Sequence, residues 1–536
     1  MRDAVSIASG LNDESRTAGT PLARARAVVL TGWVAAMISA ALLILSFPDF
    51  DLWPLAWLGL VPLLVAIAHR PAPWRSFLIG WLAGTVFFYG SCHWLTYSMI
   101  HYGGIPLWAA YLLLIPGALT LGLLPGLFSF VLARLIRKWS TRVLFAAPFI
   151  WGALEWARLS LTGQLWNAIG YSQAYQPLLI QTARWGSVYA VSFLIVSVNA
   201  AVAFLILERS KKSAVFAGLT LFVVAIVSFA SYKTSTALAE ITNSPDLIVV
   251  ALQPNVPMNL IKSTDEMREL TARHVAMSED ALKQLTDEAA PRLVIWPESP
   301  MNFAYGTDPK FRELLIQFAR ENHTAVLFNS QELAPNDGLY NSALFVNQQG
   351  NLAGQYDKIR LLPFGEYVPL PRWLPGAGLI TAIVGDFTPG MAYRLIPVGA
   401  MRVGVFICIE SAYPSIARTF TSEGADVLIN ISNDGYLGPT AVMRQHLANA
   451  VFRAVENGRP LLRVTNSGIT AYITPNGQVK DQTEGFQTAV RAWKIGRHRS
   501  ADTLYSKHGD FFAVAMAAIT LVLFAGSFNF GTKERN

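Results

Sequence analysis

One cysteine stands in a sequence that could make its sulfur a nucleophile. Cys408 ends the apolar run VGVFIC and is followed by Ile409 and Glu410, and then by a stretch of helical character. A strand that delivers a cysteine into a tight turn exposes the sulfur and points backbone N–H groups at one position. The alternative is an inert cysteine that packs as a small apolar side chain. Cys408 alone does not decide between the two, so its partners matter.

Three charged residues lie beside other apolar segments. Glu298 is found in IWPES, Lys358 in QYDKIRLLPFGEYVP, and Glu366 follows Lys358 within the same run. A thiol needs a base, and apolar surroundings raise the pKa of a carboxyl group toward that task. A fixed ammonium could stabilise the oxyanion of an acyl-transfer intermediate. The structural alternatives are a helix cap for Glu298, a solvated charge for Lys358 and a salt-bridge partner for Glu366.

Residues 233–510 have the pattern of an α/β domain that could position these groups. Short apolar runs predict strands within LIVVALQPNV, RLVIWPES, AVLFNSQE, YNSALFVN, MRVGVFICIE, ADVLINISND and PLLRVTNSG. Helical periodicity occurs near 265–288, 309–320 and 440–457, and turn residues at 347–350 and 475–477 predict hairpins. A segment of roughly 280 residues is long enough to bury its own core.

The rest of the chain is dominated by apolar runs that predict eight membrane spans. They occur at residues 27–46, 54–68, 77–95, 107–133, 143–157, 188–207, 213–232 and 511–529. Most approach the ~20 residues that a helix needs to cross a bilayer. The second and fifth are short, and the fifth contains Glu155.

The basic residues predict the orientation of these spans. Lys and Arg are concentrated before the first run, after the second, fourth and sixth, and at the C-terminus, whereas the alternate loops carry few. Because basic loops stay in the cytoplasm, both termini are predicted to be cytoplasmic and residues 233–510 external. The predicted domains are a cytoplasmic tail 1–26, a membrane domain of seven spans 27–232, a catalytic domain 233–510, and an eighth span with a cytoplasmic C-terminus 511–536.

Composition supports a membrane protein and excludes other classes. Of the 536 residues, 53% are hydrophobic and 14% are charged, against about 25% charged in an ordinary soluble protein. The net charge is +7, but the basic residues lie at the ends of apolar runs rather than in one patch, so nucleic acid is not an expected partner. The two cysteines, Cys92 and Cys408, stand in unlike segments, and neither a disulfide nor a metal cluster is predicted.

Several motifs in a fixed order resemble a known family. WPES with Glu298, YDK with Lys358 and ICIE with Cys408 resemble the Glu–Lys–Cys triad of the nitrilase superfamily. The blocks FDLWPLAWLGLVPLL, HYGGIP, EWARL, GYSQ, PFGEYVP, SNDGYLG and QHLANAVFRAVENGRPLLRVTNSG resemble the membrane-embedded branch of that superfamily, the apolipoprotein N-acyltransferases. The resemblance covers nearly the whole chain.

This resemblance implies a fold, a reaction and a role for each residue. The fold would be a nitrilase-like α-β-β-α sandwich on an eight-helix membrane base. The cysteine would take an acyl chain from a phospholipid, preferably phosphatidylethanolamine, and pass it to the α-amine of the diacylglyceryl cysteine that begins an apolipoprotein, the last step of lipoprotein maturation. Cys408 would be the nucleophile, Glu298 the general base and acid, and Lys358 the oxyanion donor. Glu366 would orient Lys358 or the amine, and the N–H after Cys408 would add a second donor.

The resemblance also implies the setting of the enzyme. It would be a monomer without cofactor or metal, in the bacterial inner membrane, with its catalytic domain in the periplasm. Glu410, Ile409 and Tyr436 are further candidates for supporting or substrate-binding roles.

This sequence departs from the family pattern in three places. Ile409 stands where the family has Tyr, Lys262 where it has Trp, and Tyr436 where it has another Trp. These departures bear on donor preference and rate and leave the triad intact. Two alternatives stay open, a membrane-tethered amidase that uses water as acceptor, and a transporter or scaffold with a degenerate enzyme domain. The scarcity of charge within the apolar runs disfavours an ion path.

Overall fold

The computed structural model describes residues 21–163, 165–237, 246–258, 262–285, 290–335, 338–368, 387–497 and 502–528. Most of the predicted N-terminal tail, and the C-terminal residues from 529 onward, lie outside these ranges. Two parts are recognisable, a bundle of apolar helices and an α/β sandwich.

Each of the eight predicted apolar runs forms helix. The helices of this part, here called the membrane base, are α1 (Pro21–Leu45), α2 (Ala56–Gly59), α3 (Val61–His69), α4 (Pro73–Ser91), α5 (Leu95–His101), α6 (Leu107–Trp139), α7 (Ala147–Thr162), α8 (Pro177–Ile180), α9 (Ala183–Glu208) and α10 (Lys211–Ala237). Within the described residues, three segments, Leu107–Trp139, Ala183–Glu208 and Lys211–Ser235, are long and apolar enough to cross a membrane. Shorter apolar helices include Thr31–Leu45, Trp53–His69 and Phe511–Gly526.

Small residues let α4 and α6 approach closely. A Cβ added to Gly84 would lie 2.6 Å from the Pro125 side chain and 3.1 Å from the Cα of Gly122. Small residues at such crossings allow backbones to pack in apolar surroundings, where close packing rather than water exclusion holds helices together.

The sandwich consists of two six-stranded mixed sheets. Its strands are β1 (Leu247–Gln253), β2 (Arg292–Ile295), β3 (Ala325–Leu333), β4 (Leu339–Val346), β5 (Leu352–Asp357), β6 (Ile396–Val398), β7 (Met401–Ile407), β8 (Val427–Ser432), β9 (Leu461–Thr465), β10 (Ala471–Ile473), β11 (Val479–Lys480) and β12 (Ala489–Ile495). The first sheet has the order β12-β1-β2-β3-β4-β5 and the second β11-β10-β9-β8-β7-β6. Parallel pairs join β1 to β2 and β2 to β3 in the first sheet, and β7 to β8 and β8 to β9 in the second.

Helices cover the outer face of each sheet. They are α11 (Thr264–Lys283) and α12 (Pro309–Glu321) on the first sheet, and α13 (Pro414–Ser422) and α14 (Val442–Asn457) on the second. The short helix α15 (Leu504–His508) follows, and α16 (Phe511–Gly526) packs against α7 and α9 of the membrane base. Side chains alternate along β1. Val249 packs in the core between the sheets with Val405, whereas Val250 packs under the helices with Leu315. This alternation explains why strands buried on both faces are apolar throughout.

The predicted elements of this domain are confirmed, and several others were missed. Each of the seven predicted strand segments contains a strand, and the three predicted helical segments correspond to α11, α12 and α14. The turns at 347–350 and 475–477 join antiparallel pairs, as predicted. The sequence did not predict β5, β6, β10, β11 or β12, which are short or carry polar residues on an exposed face.

Candidate active site

Cys408 lies where β7 ends, in a backbone conformation that side chains rarely adopt. Its φ is +51°, and the next residues form a 3₁₀ turn, Cys408–Ala412. A left-handed residue at this point turns the chain sharply out of the sheet. The Cys408 carbonyl accepts hydrogen bonds from Asn430 Nδ2 at 3.3 Å and His446 Nε2 at 3.0 Å. The turn and these two donors hold the cysteine in place.

Lys358 follows β5 directly and is buried between two carboxylates. Its Nζ lies 2.9 Å from Glu366 Oε1 and 2.8 Å from Glu366 Oε2, and 3.7 Å from Glu298 Oε1. Only 1% of the Lys358 side chain is exposed. An ammonium held on both oxygens of one carboxylate has little freedom to turn away, so its charge is fixed beside Glu298.

Glu298 lies in the turn after β2 and connects this cluster to Cys408. Its Oε1 accepts a hydrogen bond from Asn341 Nδ2 at 3.0 Å, and, in addition to burial, the Glu298 carboxylate helps to raise the pKa of the Cys408 thiol. The other oxygen, Oε2, is buried without a hydrogen-bond partner among the described residues. A buried carboxylate oxygen without a partner is costly in a site with only a structural role, and it is available to a proton donor.

The sequence did not single out Asn341, which joins the two carboxylates. Its Nδ2 donates to Glu298 at 3.0 Å and to Glu366 at 2.7 Å, and its Oδ1 accepts from Asn329 Nδ2 at 2.7 Å. Its backbone carbonyl also accepts from the N–H of Lys358 at 2.8 Å. The available signal was a pair of asparagines inside two apolar strands, β3 and β4, where polar residues need partners.

The pKa directions fit a proton transfer from Cys408 to Glu298. Burial, together with the charge of the Glu298 carboxylate, raises the pKa of the Cys408 thiol to about 12, against the opposing charge of Lys358. Burial also raises the pKa of Glu298, with Glu366 adding to it and Lys358 opposing it. Burial lowers the pKa of Lys358, but the carboxylates of Glu366 and Glu298 outweigh that effect and raise it. Lys358 therefore stays charged, and the thiol needs a base.

Glu410 is completely buried and binds backbone rather than facing an open site. Its Oε1 accepts from Tyr356 Oη at 2.8 Å and from the N–H groups of Ile359 at 2.8 Å and Arg360 at 3.0 Å. Its Oε2 accepts from the N–H of Ile407 at 2.8 Å. Glu410 thus joins the segment after Lys358 to the strand end before Cys408, across the two sheets.

The other candidate residues lie at different depths. Ile409 is 8% exposed and packs into the core, so its side chain faces away from solvent. Tyr436 lies in the 3₁₀ turn Gly435–Leu437, and 42% of it is exposed. Partial burial raises the pKa of Tyr436, and the charge of Glu298 adds to this effect. Lys262 contacts the Pro257 carbonyl with its Nζ at 3.1 Å.

The turn that contains Tyr436 touches the membrane base. Ser98 Oγ of α5 donates to the Tyr436 carbonyl at 2.6 Å, and the rings of Tyr436 and Tyr102 meet edge to face with centroids 5.4 Å apart. Tyr102 Oη also donates to the Gly435 carbonyl at 3.4 Å. The turn that carries the partly exposed Tyr436 therefore borders the membrane base.

A buried ionic network behind Cys408 was also missed. His446 Nδ1 lies 2.8 Å from Asp434 Oδ1, and Arg463 Nη2 contacts both oxygens of Asp434, at 3.1 and 2.8 Å. Arg463 Nη1 donates to Asn430 Oδ1 at 2.6 Å. Burial raises the pKa of Asp434, but Arg463 and His446 outweigh it and hold that pKa below its usual range. These residues lie inside SNDGYLG, QHLANAVFRAVENGRPLLRVTNSG and a predicted strand, but nothing in their spacing reveals their contact.

Together these groups can carry out acyl transfer through a thioester. Glu298 can accept the thiol proton, Cys408 can attack a carbonyl carbon, and Lys358 can stabilise the oxyanion. The N–H of Ile409 follows the sulfur directly in the chain, within the 3₁₀ turn, and could supply a second donor.

Two family models match this chain. One, described as the apolipoprotein N-acyltransferase N-terminal domain, matches residues 39–201, and the carbon-nitrogen hydrolase model matches residues 252–500. The first match falls on the membrane base, and the second contains Glu298, Lys358 and Cys408.

Curated relatives are similar over nearly the whole length. Three of them, each named apolipoprotein N-acyltransferase, come from Geobacter metallireducens, Azotobacter vinelandii and Brucella suis. They are 32%, 31% and 29% identical to this chain, covering 92%, 87% and 85% of it and 95%, 90% and 88% of their own lengths. Among solved structures, Saccharomyces cerevisiae Nit3, a member of branch 10 of the nitrilase superfamily, is 18% identical with a TM-score of 0.38, covering 48% of this chain and 93% of that one.

Proposed function

This chain belongs to the apolipoprotein N-acyltransferase family, and from that premise we propose that it moves a fatty acyl chain from a phospholipid to an apolipoprotein. The donor is phosphatidylethanolamine, and the acceptor is the α-amine of the N-terminal diacylglyceryl cysteine. The observation that carries the proposal is the largely buried cluster formed by Glu298, Lys358 and Cys408 within a chain that also holds a membrane base.

The first half-reaction loads the enzyme. Glu298 takes the thiol proton, and the Cys408 sulfur attacks the ester carbonyl carbon of the phospholipid. Lys358 Nζ and the N–H of Ile409 stabilise the oxyanion of the tetrahedral intermediate. As the intermediate collapses, the carbon–oxygen bond breaks and Glu298 returns the proton to the departing lysophospholipid hydroxyl. The product is an acyl thioester on Cys408.

The second half-reaction unloads it. The α-amine of the apolipoprotein attacks the thioester carbonyl, Glu298 accepts the amine proton, and the same two donors stabilise the new oxyanion. The carbon–sulfur bond then breaks, an amide is formed, and Cys408 regains its proton from Glu298. An amine attacks a thioester far better than water does, and a dry site suppresses hydrolysis further.

The position of the site supports lipid substrates. The turn around Tyr436 borders α5 of the membrane base, and the Tyr436 side chain in this turn is partly exposed. We propose that eight spans form the base, with termini in the cytoplasm and residues 233–510 in the periplasm of a bacterial inner membrane. The distribution of Lys and Arg supports this topology. We further propose that the enzyme acts as a monomer.

Intact-protein mass spectrometry tests the proposal. Incubation with phosphatidylethanolamine alone should add the mass of one acyl chain to Cys408. A diacylglyceryl-cysteine peptide with a free amine should then remove the adduct and become N-acylated, whereas an N-blocked peptide should not. Continuous release of free fatty acid, with no stable adduct and no dependence on the peptide, would identify a hydrolase and reject acyl transfer.

Topology is tested separately with fusion reporters. A reporter after Tyr232 or near Gly350 is expected to be external, and one after Lys212 cytoplasmic. If reporters after Lys212 and Tyr232 report the same side, the eight-span topology is wrong.

A further inference from the structure

Helix α14 belongs to the sandwich but is seated in the membrane base through Gln445. The Nε2 of this buried side chain donates to the carbonyls of Pro48 and Ser91, both at 3.1 Å. Its Oε1 accepts from the indole N–H groups of Trp94 at 3.0 Å and Trp166 at 2.8 Å. These four contacts use the full hydrogen-bonding capacity of an amide side chain. Gln445 is therefore a specific joint between the two parts.

The next residue of the helix, His446, reaches the nucleophile. Its Nε2 lies 3.0 Å from the carbonyl oxygen of Cys408, and since that oxygen only accepts, the ring nitrogen is the donor. Asp434 holds the other side of the ring at 2.8 Å. The Trp166 indole contacts both Gln445 and His446. Its N–H donates to Gln445, and its ring centroid lies 5.5 Å from that of His446.

The carbonyl that His446 holds is part of the peptide unit that presents the second oxyanion donor. The C=O of Cys408 and the N–H of Ile409 belong to one planar trans peptide, in which the two groups point in opposite directions. Fixing the carbonyl on the side of α14 therefore fixes the N–H on the opposite side. A hydrogen bond to the carbonyl also polarises the peptide and strengthens its N–H as a donor.

We propose that His446 is a positioning residue that aims the Ile409 N–H at the oxyanion, and that Gln445 ties this alignment to the membrane base. The sandwich then has a complete oxyanion site only when it is seated on the helices that supply its lipid substrate. This inference rests on the proposed role of Cys408 as the acylated nucleophile, and it adds a residue from outside the triad.

Two reactions of the same sulfur separate this role from a merely structural one. Acylation by phospholipid passes through an oxyanion, whereas alkylation by iodoacetamide is a direct displacement and forms none. Loss of one oxyanion donor costs about 10²–10³ in rate. A variant that misaligns the Ile409 N–H should slow acylation and leave alkylation nearly unchanged, whereas general damage to the site should slow both.

A matched pair of substitutions tests the two hydrogen bonds of the His446 ring separately. In His446→Asn the amide can replace Nδ1 toward Asp434 but cannot reach the Cys408 carbonyl. In His446→Gln the longer amide can replace Nε2 toward that carbonyl. With full-length protein and phosphatidylethanolamine vesicles, His446→Asn should lower the acylation rate about 10²-fold. His446→Gln should stay within about tenfold of the unsubstituted protein, because it keeps the donor.

Substitution of Gln445 tests the link to the base. Gln445→Leu should slow acylation by about tenfold or more, since small misplacements in a catalytic site have effects of that size. Gln181→Leu is its control. Gln181 crosses the same junction, donating to the Asn476 carbonyl at 2.8 Å, but it contacts a hairpin turn rather than the nucleophile. It should leave acylation and alkylation unchanged.

The outcomes are distinguishable from failure of the proposed function. If the unsubstituted protein forms no acyl adduct, the thioester mechanism itself is wrong. If it forms the adduct and the two His446 variants acylate equally fast, or lose acylation and alkylation together, His446 does not position the oxyanion donor. Equal effects of Gln445→Leu and Gln181→Leu would reject the link to the base.

Discussion

The two sheets of the sandwich contribute to the site in different ways. The first sheet supplies Glu298, Asn341 and Lys358, and these groups hold one another by charge and short hydrogen bonds. The second sheet supplies Cys408, which is held through its backbone carbonyl by Asn430 and by His446 of α14. The proton-transfer groups are thus organised within the sandwich, whereas the nucleophile is aligned by a helix that is seated in the membrane base.

This difference indicates how the enzyme combines two requirements. Acid–base chemistry needs fixed charges at low exposure, which a self-contained cluster provides. Reaction with a lipid needs the nucleophile to be held at a fixed position relative to the membrane base. Glu410 connects the two halves, because it binds Tyr356 of the first sheet and the end of β7 in the second. Substitutions in each half, and in this connection, should therefore have distinct effects.

The largest effect is expected from removing the nucleophile of the second sheet. Cys408→Ala should abolish both half-reactions, because no other residue of the site can hold the acyl group. Intact mass should show no acyl adduct, and no N-acylated peptide should form. Cys92→Ala is the control and should keep full activity, since Cys92 is buried in the membrane base. An adduct on Cys408→Ala would place the nucleophile elsewhere.

Removing the base of the first sheet should have the next largest effect, together with a change in pH dependence. Glu298→Gln should slow thioester formation by about 10²–10⁴, the usual contribution of a general base. Glu298 acts only when ionised, and because burial raises its pKa above the usual 4.5, the rate should rise with pH through that higher value. Initial adduct rates across the mildly acidic range measure this limb. If the rate of the Glu298→Gln variant rises with pH over the same range, another group is the base.

Removing the cation should be somewhat less severe. Lys358→Met should lower the rate of thioester formation by about 10²–10³, because one oxyanion donor is lost. Lys283→Met, at an exposed residue paired with Asp280 on α11, should have no effect. Single-turnover adduct formation measures both variants. A Lys358→Met protein with normal turnover would exclude Lys358 from oxyanion stabilisation.

The smallest effect is expected in the connection between the halves. Tyr356→Phe removes one buried hydrogen bond to Glu410 and should lower the free energy of unfolding by about 1 to 2 kcal/mol, with a modest loss of rate. Tyr472→Phe is the control, because that ring packs against Trp493, with centroids 6.3 Å apart, away from the cluster. Denaturant unfolding compares the two. Equal losses would show that the Glu410 contact adds no stability of its own.

The sequence alone predicted much of this arrangement. The strand ends before Glu298 and Cys408, the strands β1 to β4 and β7 to β9, and the hairpin turns all followed from local patterns. The motifs around Glu298, Lys358 and Cys408 predicted the chemistry before any distance was known. The segments β5, β6 and β10 to β12 were missed, because they are short or carry polar residues. Pairing with another strand, adjacent in the chain for all but β12, makes them strands rather than local apolar character.

What only the tertiary structure decided is the set of contacts between residues far apart in the chain. Asn341 joins Glu298 and Glu366, Glu410 turns inward to hold backbone N–H groups, and Gln445 joins the sandwich to the base. In its local sequence, each of these residues resembles an ordinary polar residue of a strand, turn or helix. Apolar periodicity is a local property that the sequence displays directly. A buried polar side chain is stabilised only by its partners, and the fold alone determines which groups meet.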